Sequence, residues 1–258
     1  PYVASRKIAQ EKNPWKTLTA IENKVEVEFL RPALLGESIL PYRVFGPFEA
    51  VVPVTAKGEM VNAEGAANRG FEGLHGWMTK AEKVWGDNSE SGSMTLIGRW
   101  NYHNELGAQF PLAPLRVVYA KAGKQPAACL LRHSTHVIDH KLYWASLQTE
   151  IEANYLTAIL NSETARSRIE AQQSKGQWGA RDFDKVMFNL PIPRFDAKNR
   201  LHNAIANAAR EAEKIAAAAA LPQNIKFQRA RGLIRAALKD AGIAQKIDAL
   251  VARLLDRK

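Results

Sequence analysis

Two prolines separated by one residue, Pro191-Ile192-Pro193, divide this sequence into two parts of different character. Proline lacks the backbone N–H that a helix interior needs, and it restricts the preceding residue to extended conformations. A helix therefore cannot cross residues 191–193. Short apolar runs and turn signals dominate before this segment, whereas the pattern after it is almost wholly helical. We expect an α+β fold with a mixed or antiparallel sheet, followed by a helical C-terminal segment.

The part before the prolines combines strand patterns with two helical ones. Alternating or compact apolar runs, bounded by turn residues, predict the strands. They are 24–29, 48–54, 116–120, 127–132 and one or two more within 135–145. Residues 121–126 form the predicted turn of a hairpin or meander over 115–146. Spacing of three and four between apolar residues predicts helices over 70–85 and within 148–168.

An apolar stripe with heptad spacing marks the first helix after the prolines. Its members step by four, three, four and three residues: Leu201, Ile205, Ala208, Ala212 and Ile215. Two more helices, 227–239 and 243–255, are predicted on either side of Gly242. Residues 199–258 hold 12 Lys and Arg against 5 Asp and Glu, a net charge of 12 − 5 = +7. We expect the positive field of the chain to be concentrated there.

The net charge of the 258 residues is +10, which favours a polyanionic partner, most commonly nucleic acid. The longest apolar run, 216–221, is far shorter than the roughly 20 residues of a membrane span. We therefore expect no membrane association and a cytoplasmic location, which the single cysteine, Cys129, fits. The chain begins at Pro1 without a signal-peptide pattern, and we expect it to be cut from a longer polypeptide.

Motifs for several catalytic chemistries are missing from the sequence. An amino-methyltransferase uses an Asn/Asp-Pro-Pro-aromatic turn, and the nearest match, Asn13-Pro14-Trp15, lacks the second proline. Near the start of the chain, no glycine-rich loop follows an apolar strand to cradle S-adenosylmethionine. His133, His136 and His140 lie in a predicted strand region, where they do not converge on one face. We expect no catalytic, cofactor or metal site in this chain.

Two other functions are also compatible with the sequence. A restriction-type nuclease uses an acid-x-Lys pair on a strand with a further acid upstream. Asp139 and Lys141 form such a pair on a predicted strand, with Glu105 as the upstream acid. A protein-interaction module is the second alternative, with the heptad helix as its docking surface. The two helices around Gly242 are also compatible with a helix-turn-helix reader of DNA.

An ordered series of short motifs runs along residues 24–220. It comprises residues 29–39, 100–106, 117–123, 152–162, 176–185 and 190–196. In this order the series resembles the C-terminal target-recognition region of bacterial adenine-specific DNA methyltransferases of restriction-modification systems. That region is similar in turn to the recognition domains of type I specificity subunits. In this pattern a "YL-x-AxLNS" helix, here 155–162, precedes a glycine loop and a closing "PIP" segment, here 191–193.

The resemblance implies a function and a division of the chain. Residues 1–195 would form a target-recognition domain, and residues 196–258 a helical segment of spacer or packing helices. The implied partners are double-stranded DNA and a methyltransferase catalytic domain of the same or another chain. S-adenosylmethionine would be the cofactor of that parent enzyme and not of this chain.

Three polar segments are candidates for contact with DNA. Arginine, asparagine and glutamine can read base edges in the major groove, and cations bind phosphates. The glycines of the third segment, Gly176 and Gly179, allow a close approach of the backbone to a phosphate. The candidates are Arg99, Tyr102, His103, Asn104 and Gln109 in a polar-aromatic segment, Lys121 and Lys124 in the hairpin turn, and Lys175, Trp178 and Arg181 in the glycine loop.

Overall fold

A computed structural model of the chain describes residues 1–6, 11–90, 94–121, 125–172, 175–176, 179–180 and 184–256. Helices and antiparallel strand pairs are both present, and the predicted α+β class with C-terminal helices is confirmed. The strands are β1 Tyr2–Ala4, β2 Glu22–Lys24, β3 Leu30–Leu34, β4 Ile39–Leu40, β5 Arg43–Val44, β6 Phe48–Val51, β7 Leu115–Ala120, β8 Ala128–Arg132, β9 Val137–Ile138, β10 Leu142–Ser146, β11 Lys175–Gly176 and β12 Gly179–Ala180. The helices are α1 Ala63–Asn68, α2 Glu72–Asn88, α3 Leu96–Trp100, α4 Glu150–Asn161, α5 Glu163–Ile169, α6 Arg200–Ala218, α7 Phe227–Asp240 and α8 Ile243–Leu255.

The chain forms two compact units, each assembled from separate stretches of sequence. Unit 1 comprises residues 1–33, 49–112 and 135–137, and unit 2 comprises residues 34–48, 113–134 and 138–258. The predicted division between residues 195 and 196 concerns function and stays a prediction. In packing, α4 and α6, which lie on either side of that position, belong to the same core.

Unit 1 is organised around α2, which confirms the predicted helix over 70–85. Leu74, Trp77 and Met78 on one face of α2 are buried in a cluster with Val25 and Phe29. Two N–H groups in the first turn of α2 donate to the carboxylate of Glu26 at 2.8 Å, which satisfies donors that a helix start leaves open. This acidic cap also suits the positive end of the helix dipole.

The predicted strand over 24–29 is wrong beyond Lys24. Val25 and Phe29 are buried, but Val27 is 71% exposed, although a strand would place all three on one face. Residues Val27–Phe29 instead form a short 3₁₀ turn. The carboxylate of Glu26 accepts two hydrogen bonds at the start of α2. The alternating pattern therefore reflects a turn between two buried residues, Val25 and Phe29.

The sheet of unit 2 confirms the predicted hairpin and, as its third strand, one of the further strands predicted within 135–145. Its order is β10-β7-β8, with β7 paired antiparallel to both neighbours. Alternate residues of β7 point into two apolar clusters. Val117 and Tyr119 lie in the cluster that includes the helices, and Val118 lies with Cys129 in the other. Because both faces are covered, β7 is buried from residue 116 to its end.

The C-terminal helices close the larger core of unit 2. Leu201, Ile205, Ala208 and Ala212 of the heptad stripe are buried, and Ile215 is partly buried. The stripe of α6 packs on α4 and α8, and its alanines permit a close approach of the helices. The stripe is therefore used within the chain, which removes the docking surface of the interaction-module alternative. The apolar face of α8 is also buried in this core.

Several arginines of unit 2 hold the fold together. Arg231 is 7% exposed, and it donates from Nε to the Ile39 carbonyl at 2.8 Å and from Nη2 to the Gly36 carbonyl at 2.7 Å. Arg235 donates to the Pro126 carbonyl at 2.8 Å. Burial, and then the charge of Arg231, lower the pKa of Arg235 to about 10. These two C-terminal cations are therefore bound by the fold and are not presented to solvent in full.

Candidate nucleic-acid interface

The polar-aromatic segment of unit 1 follows directly from α3. Thr95 caps this helix, since its Oγ1 accepts from the Gly98 N–H at 3.0 Å. The helix ends at Trp100, and the 3₁₀ turns Tyr102–Asn104 and Gly107–Gln109 follow. Arg99 is exposed in the last turn of α3. The local sequence therefore places a cation and several polar and aromatic side chains on consecutive tight turns.

Two consecutive residues of this segment have left-handed backbone conformations. The φ angle is +52° at His103 and +60° at Asn104. Non-glycine residues occupy this region at a cost, which asparagine tolerates best. Asn101 holds the turn, because its Nδ2 donates to Oδ1 of Asn104 at 3.1 Å and its Oδ1 accepts from the Gly107 N–H at 2.8 Å. Backbone strain maintained in this way is typical of binding sites.

The side chains of this turn differ in their exposure. Tyr102 is 47% exposed, and its ring lies 4.0 Å from that of His103 between centroids. His103 and Asn104 are exposed as well. Gln109 is only 3% exposed, and its Nε2 donates to the Glu105 carbonyl at 3.2 Å. Gln109 thus supports the segment from within, and the outward surface consists of the other predicted residues.

Trp100 is a candidate that sequence reasoning missed. It is 36% exposed at the end of α3, between Arg99 and the turn that bears Tyr102. Its ring also lines a cavity of unit 1. An aromatic residue within a polar stretch was the available signal, but periodicity does not distinguish an exposed tryptophan from a buried one.

Lys121 lies at the end of the β7–β8 hairpin and is anchored in unit 2. Its Nζ donates to the His140 carbonyl at 2.5 Å and lies 4.2 Å from the ring centroid of Tyr143. An ammonium group has three N–H donors, so these two contacts leave capacity for a phosphate oxygen. The second predicted residue of this turn, Lys124, lies outside the described residues.

The glycine loop forms a two-stranded ribbon in unit 2. Lys175 pairs with Ala180, and Gly176 pairs with Gly179. The two glycines are thus directly paired across the two short strands. Trp178 and Arg181, which were predicted to contact DNA, lie outside the described residues, so their contact with DNA stays a prediction, as does that of Lys175.

The acid-x-Lys pair of the nuclease alternative is not on a strand. Asp139 and Lys141 lie in the turn between β9 and β10. Oδ1 of Asp139 accepts from the Lys141 N–H at 3.0 Å, and Oδ2 lies 3.0 Å from Nδ1 of His140. The carboxylate therefore stabilises its own turn. Within the described part of the chain, no group of three or more His, Cys, Asp or Glu side chains is placed to hold a metal ion.

Charge is divided unequally between the two units. Unit 1 has 11 Lys and Arg against 12 Asp and Glu, a net charge of 11 − 12 = −1. Unit 2 has 25 against 14, a net charge of 25 − 14 = +11. Lys214, Lys226 and Arg229 are among its exposed cations. The excess charge of the chain is thus confined to unit 2, although part of it serves the fold through the buried arginines.

Comparisons with known proteins give a likeness in fold. No family model matches the chain, and no curated protein matches it. Among solved structures, the fold is similar to that of the Type IIL restriction-modification enzyme MmeI in complex with DNA, with a TM-score of 0.56 and 11% sequence identity. The likeness covers 89% of this chain and 28% of that chain. This chain therefore spans less than a third of the neighbour's length. Among the described helices, none is long and apolar enough to cross a membrane.

Proposed function

We propose that this chain recognises DNA sequence for a restriction-modification enzyme. The observation that carries the proposal is the likeness in fold, over 89% of the chain, to a restriction-modification enzyme in complex with DNA. The motif series of residues 24–220 points independently to the target-recognition region of adenine-specific methyltransferases. Two kinds of surface support the same function, one for the attraction of DNA and one for the discrimination of bases.

Unit 2 supplies the electrostatic attraction. Its net charge of 25 − 14 = +11 suits the phosphate backbone, whose neutralisation releases counterions and accounts for most of the non-specific affinity. Exposed lysines and arginines on α6 and α7 contribute to it, whereas Arg231 and Arg235 are held by backbone carbonyls. The affinity of the chain for DNA should therefore depend steeply on salt.

Unit 1 supplies side chains suited to base edges. Arg99 can donate two hydrogen bonds to guanine, and an asparagine such as Asn104 can pair with adenine. The hydrogen bonds of Asn101 hold the turn before DNA binds, which reduces the entropy lost on binding. Tyr102 and His103 present aromatic rings beside these polar groups.

Methyl transfer would belong to another part of the enzyme. The proposal assigns S-adenosylmethionine and the flipped adenine to a methyltransferase catalytic domain of the same or another chain. This chain would hold the duplex so that the target adenine enters that domain. The sequence motifs for cofactor binding and for the catalytic turn are missing here, in keeping with this division of work.

Selection from random duplexes, followed by fluorescence anisotropy, tests the proposal. We expect one enriched sequence and an affinity that falls as salt rises. Asn104→Gly permits the left-handed backbone but removes both the side chain and its hydrogen bond with Asn101, whereas Asn101→Ala removes that hydrogen bond and keeps the Asn104 side chain. A loss of about 1 to 3 kcal/mol in binding that only Asn104→Gly shows would report base contact. Asn224→Gly, the same substitution at another exposed asparagine with a positive φ, is the matched control. Binding with no sequence preference and no salt dependence would overturn the proposal.

A further inference from the structure

Unit 1 contains a cavity of about 390 Å³ with three tryptophans in its wall. These are Trp15, Trp85 and Trp100, half of the six tryptophans in the sequence. The ring centroids of Trp15 and Trp85 lie 5.7 Å apart in a stacked arrangement. Nε1 of Trp85 donates to the Met94 carbonyl at 2.7 Å, which holds that ring in place. The volume lies within the range of small-ligand sites, about 300 to 1,000 Å³.

The three indoles remain partly open to solvent. Trp100 is 36% exposed, and Trp15 and Trp85 are half-buried. Each indole is a large apolar surface that folding normally buries, so three open rings around one cavity favour a ligand with flat apolar faces. Aromatic rings prefer to stack on one another with an offset, and a heterocyclic base has the shape to do so.

Two segments of the chain that supply much of the cavity wall carry more basic than acidic residues. Among the described residues of 5–21 and 94–104, which include much of the wall, there are four cations and one acid. The cations are Arg6, Lys12, Lys16 and Arg99, and the acid is Glu11. Unit 1 overall has more acidic than basic residues, 12 against 11. Arg6 lines the cavity itself, together with Glu11, and the other three cations lie in the same two segments of the chain. This excess of cations near the aromatic wall in sequence suits a ligand that is both planar and anionic.

We propose that this cavity binds one unpaired base of a DNA strand. The base stacks on an exposed indole, and the neighbouring phosphate is bound by the cations of the two segments. The proposal rests on the proposed function in taking DNA as the ligand. It goes beyond it, because the reading of base edges in a duplex leaves every base paired. Trp100 belongs both to the cavity wall and to the stretch that continues into Tyr102 and Asn104.

An apolar side chain of a partner peptide is the other occupant that such a wall admits. It would gain nothing from the four cations, whereas a nucleotide uses both the rings and the charge. A leucine in place of one tryptophan separates the two cases. Leucine keeps much of the apolar surface, but it cannot stack on a base.

The test uses the full chain, with tryptophan fluorescence and anisotropy as readouts. The probes are single-stranded hexathymidylate, a fully paired duplex and a leucine-rich peptide. We expect hexathymidylate to quench the fluorescence of the wild type. Trp100→Leu should weaken its binding by about 5- to 150-fold, the range for the loss of one base–aromatic stack. Trp100→Phe should restore most of the affinity. Tyr2→Leu, which removes a 64% exposed aromatic ring outside the cavity, should change nothing.

Melting curves first establish that the variants fold, so that a change in binding can be assigned to the cavity. Duplex binding without any binding or quenching by hexathymidylate would overturn this inference and leave the proposed function standing. Equal affinity of the wild type and Trp100→Leu for hexathymidylate would also overturn it. Binding of the leucine-rich peptide alone would identify a protein-binding cavity instead. If neither duplex nor single strand binds, the proposed function fails together with this inference.

Discussion

Replacing Arg231 by methionine tests whether this cation of unit 2 stabilises the fold or attracts DNA. Arg231 is 7% exposed and makes two charge-assisted hydrogen bonds, to the carbonyls of Gly36 and Ile39. Methionine retains a long apolar side chain, so Arg231→Met removes the hydrogen bonds with little loss of packing volume. The two carbonyls would lose their charged donor.

The size of the effect follows from the contacts. A hydrogen bond to a charged group contributes about 1.5 to 3 kcal/mol, so the two contribute at most about 6 kcal/mol. Burial of the guanidinium opposes this gain and also lowers the pKa of Arg231. We expect a net loss of about 2 to 4 kcal/mol in the free energy of unfolding. For a folded unit of the size of unit 2, that loss lowers the melting temperature by about 4 to 16 °C.

Urea unfolding followed by circular dichroism measures the loss, and anisotropy at several salt concentrations measures DNA binding. Arg229→Met is the matched control, because Arg229 is exposed on the same helix. We expect Arg231→Met to lower stability without changing the salt dependence of binding. Arg229→Met should change stability by less than about 0.5 kcal/mol and reduce the salt slope by about 0.9. Unchanged stability of Arg231→Met, with a reduced salt slope, would refute the structural role.

Four further outcomes are expected. Glu26→Gln should lower the free energy of unfolding by about 1 to 2 kcal/mol in urea titrations, because the carboxylate caps α2; an unchanged midpoint would contradict this. Burial, and then the charge of Glu213, raise the pKa of Cys129 to about 12, so the native thiol should resist Ellman's reagent at neutral pH and react only on unfolding. The contribution of this buried thiol to the free energy of unfolding should be complete below the ordinary thiol pKa of 9.0 and should disappear as the pH rises toward about 12. Changing Lys214, Lys226 and Arg229 together to glutamine should reduce the salt slope by up to about 2.7, with little change in melting temperature. Calorimetry should detect no micromolar binding of S-adenosylmethionine by this chain.

Much of the fold could be predicted from local patterns. The β7–β8 hairpin, α2 and the three C-terminal helices follow from periodicity, prolines and turn residues, since these report which face of an element is buried. Patterns do not report what the buried face packs against. The heptad spacing of α6 is equally compatible with a partner chain and with α4, and only the structure shows that the stripe packs on α4 and α8.

The candidate site was harder to predict than the fold. Whether a cation is available to DNA depends on distant partners, as with Arg231, whose acceptor Ile39 lies 192 residues earlier. The exposure of Val27 and the burial of Gln109 depend in the same way on tertiary contacts rather than on local spacing. Asp139 and Lys141 have the spacing of a nuclease pair, but a hydrogen-bonded turn and a strand can share that short sequence.

The contacts of Arg231 also bear on the order of events during synthesis. Its two acceptors are made 192 and 195 residues before it. At about 5 to 20 residues per second, the ribosome needs roughly 10 to 40 s to bridge that interval. Through this time β4 leaves the exit tunnel without the helices that cover it, so unit 2 completes its core only after α7 has emerged. We therefore expect nascent chains arrested before residue 227 to remain sensitive to protease in residues 34–48, and chains released at full length to become resistant.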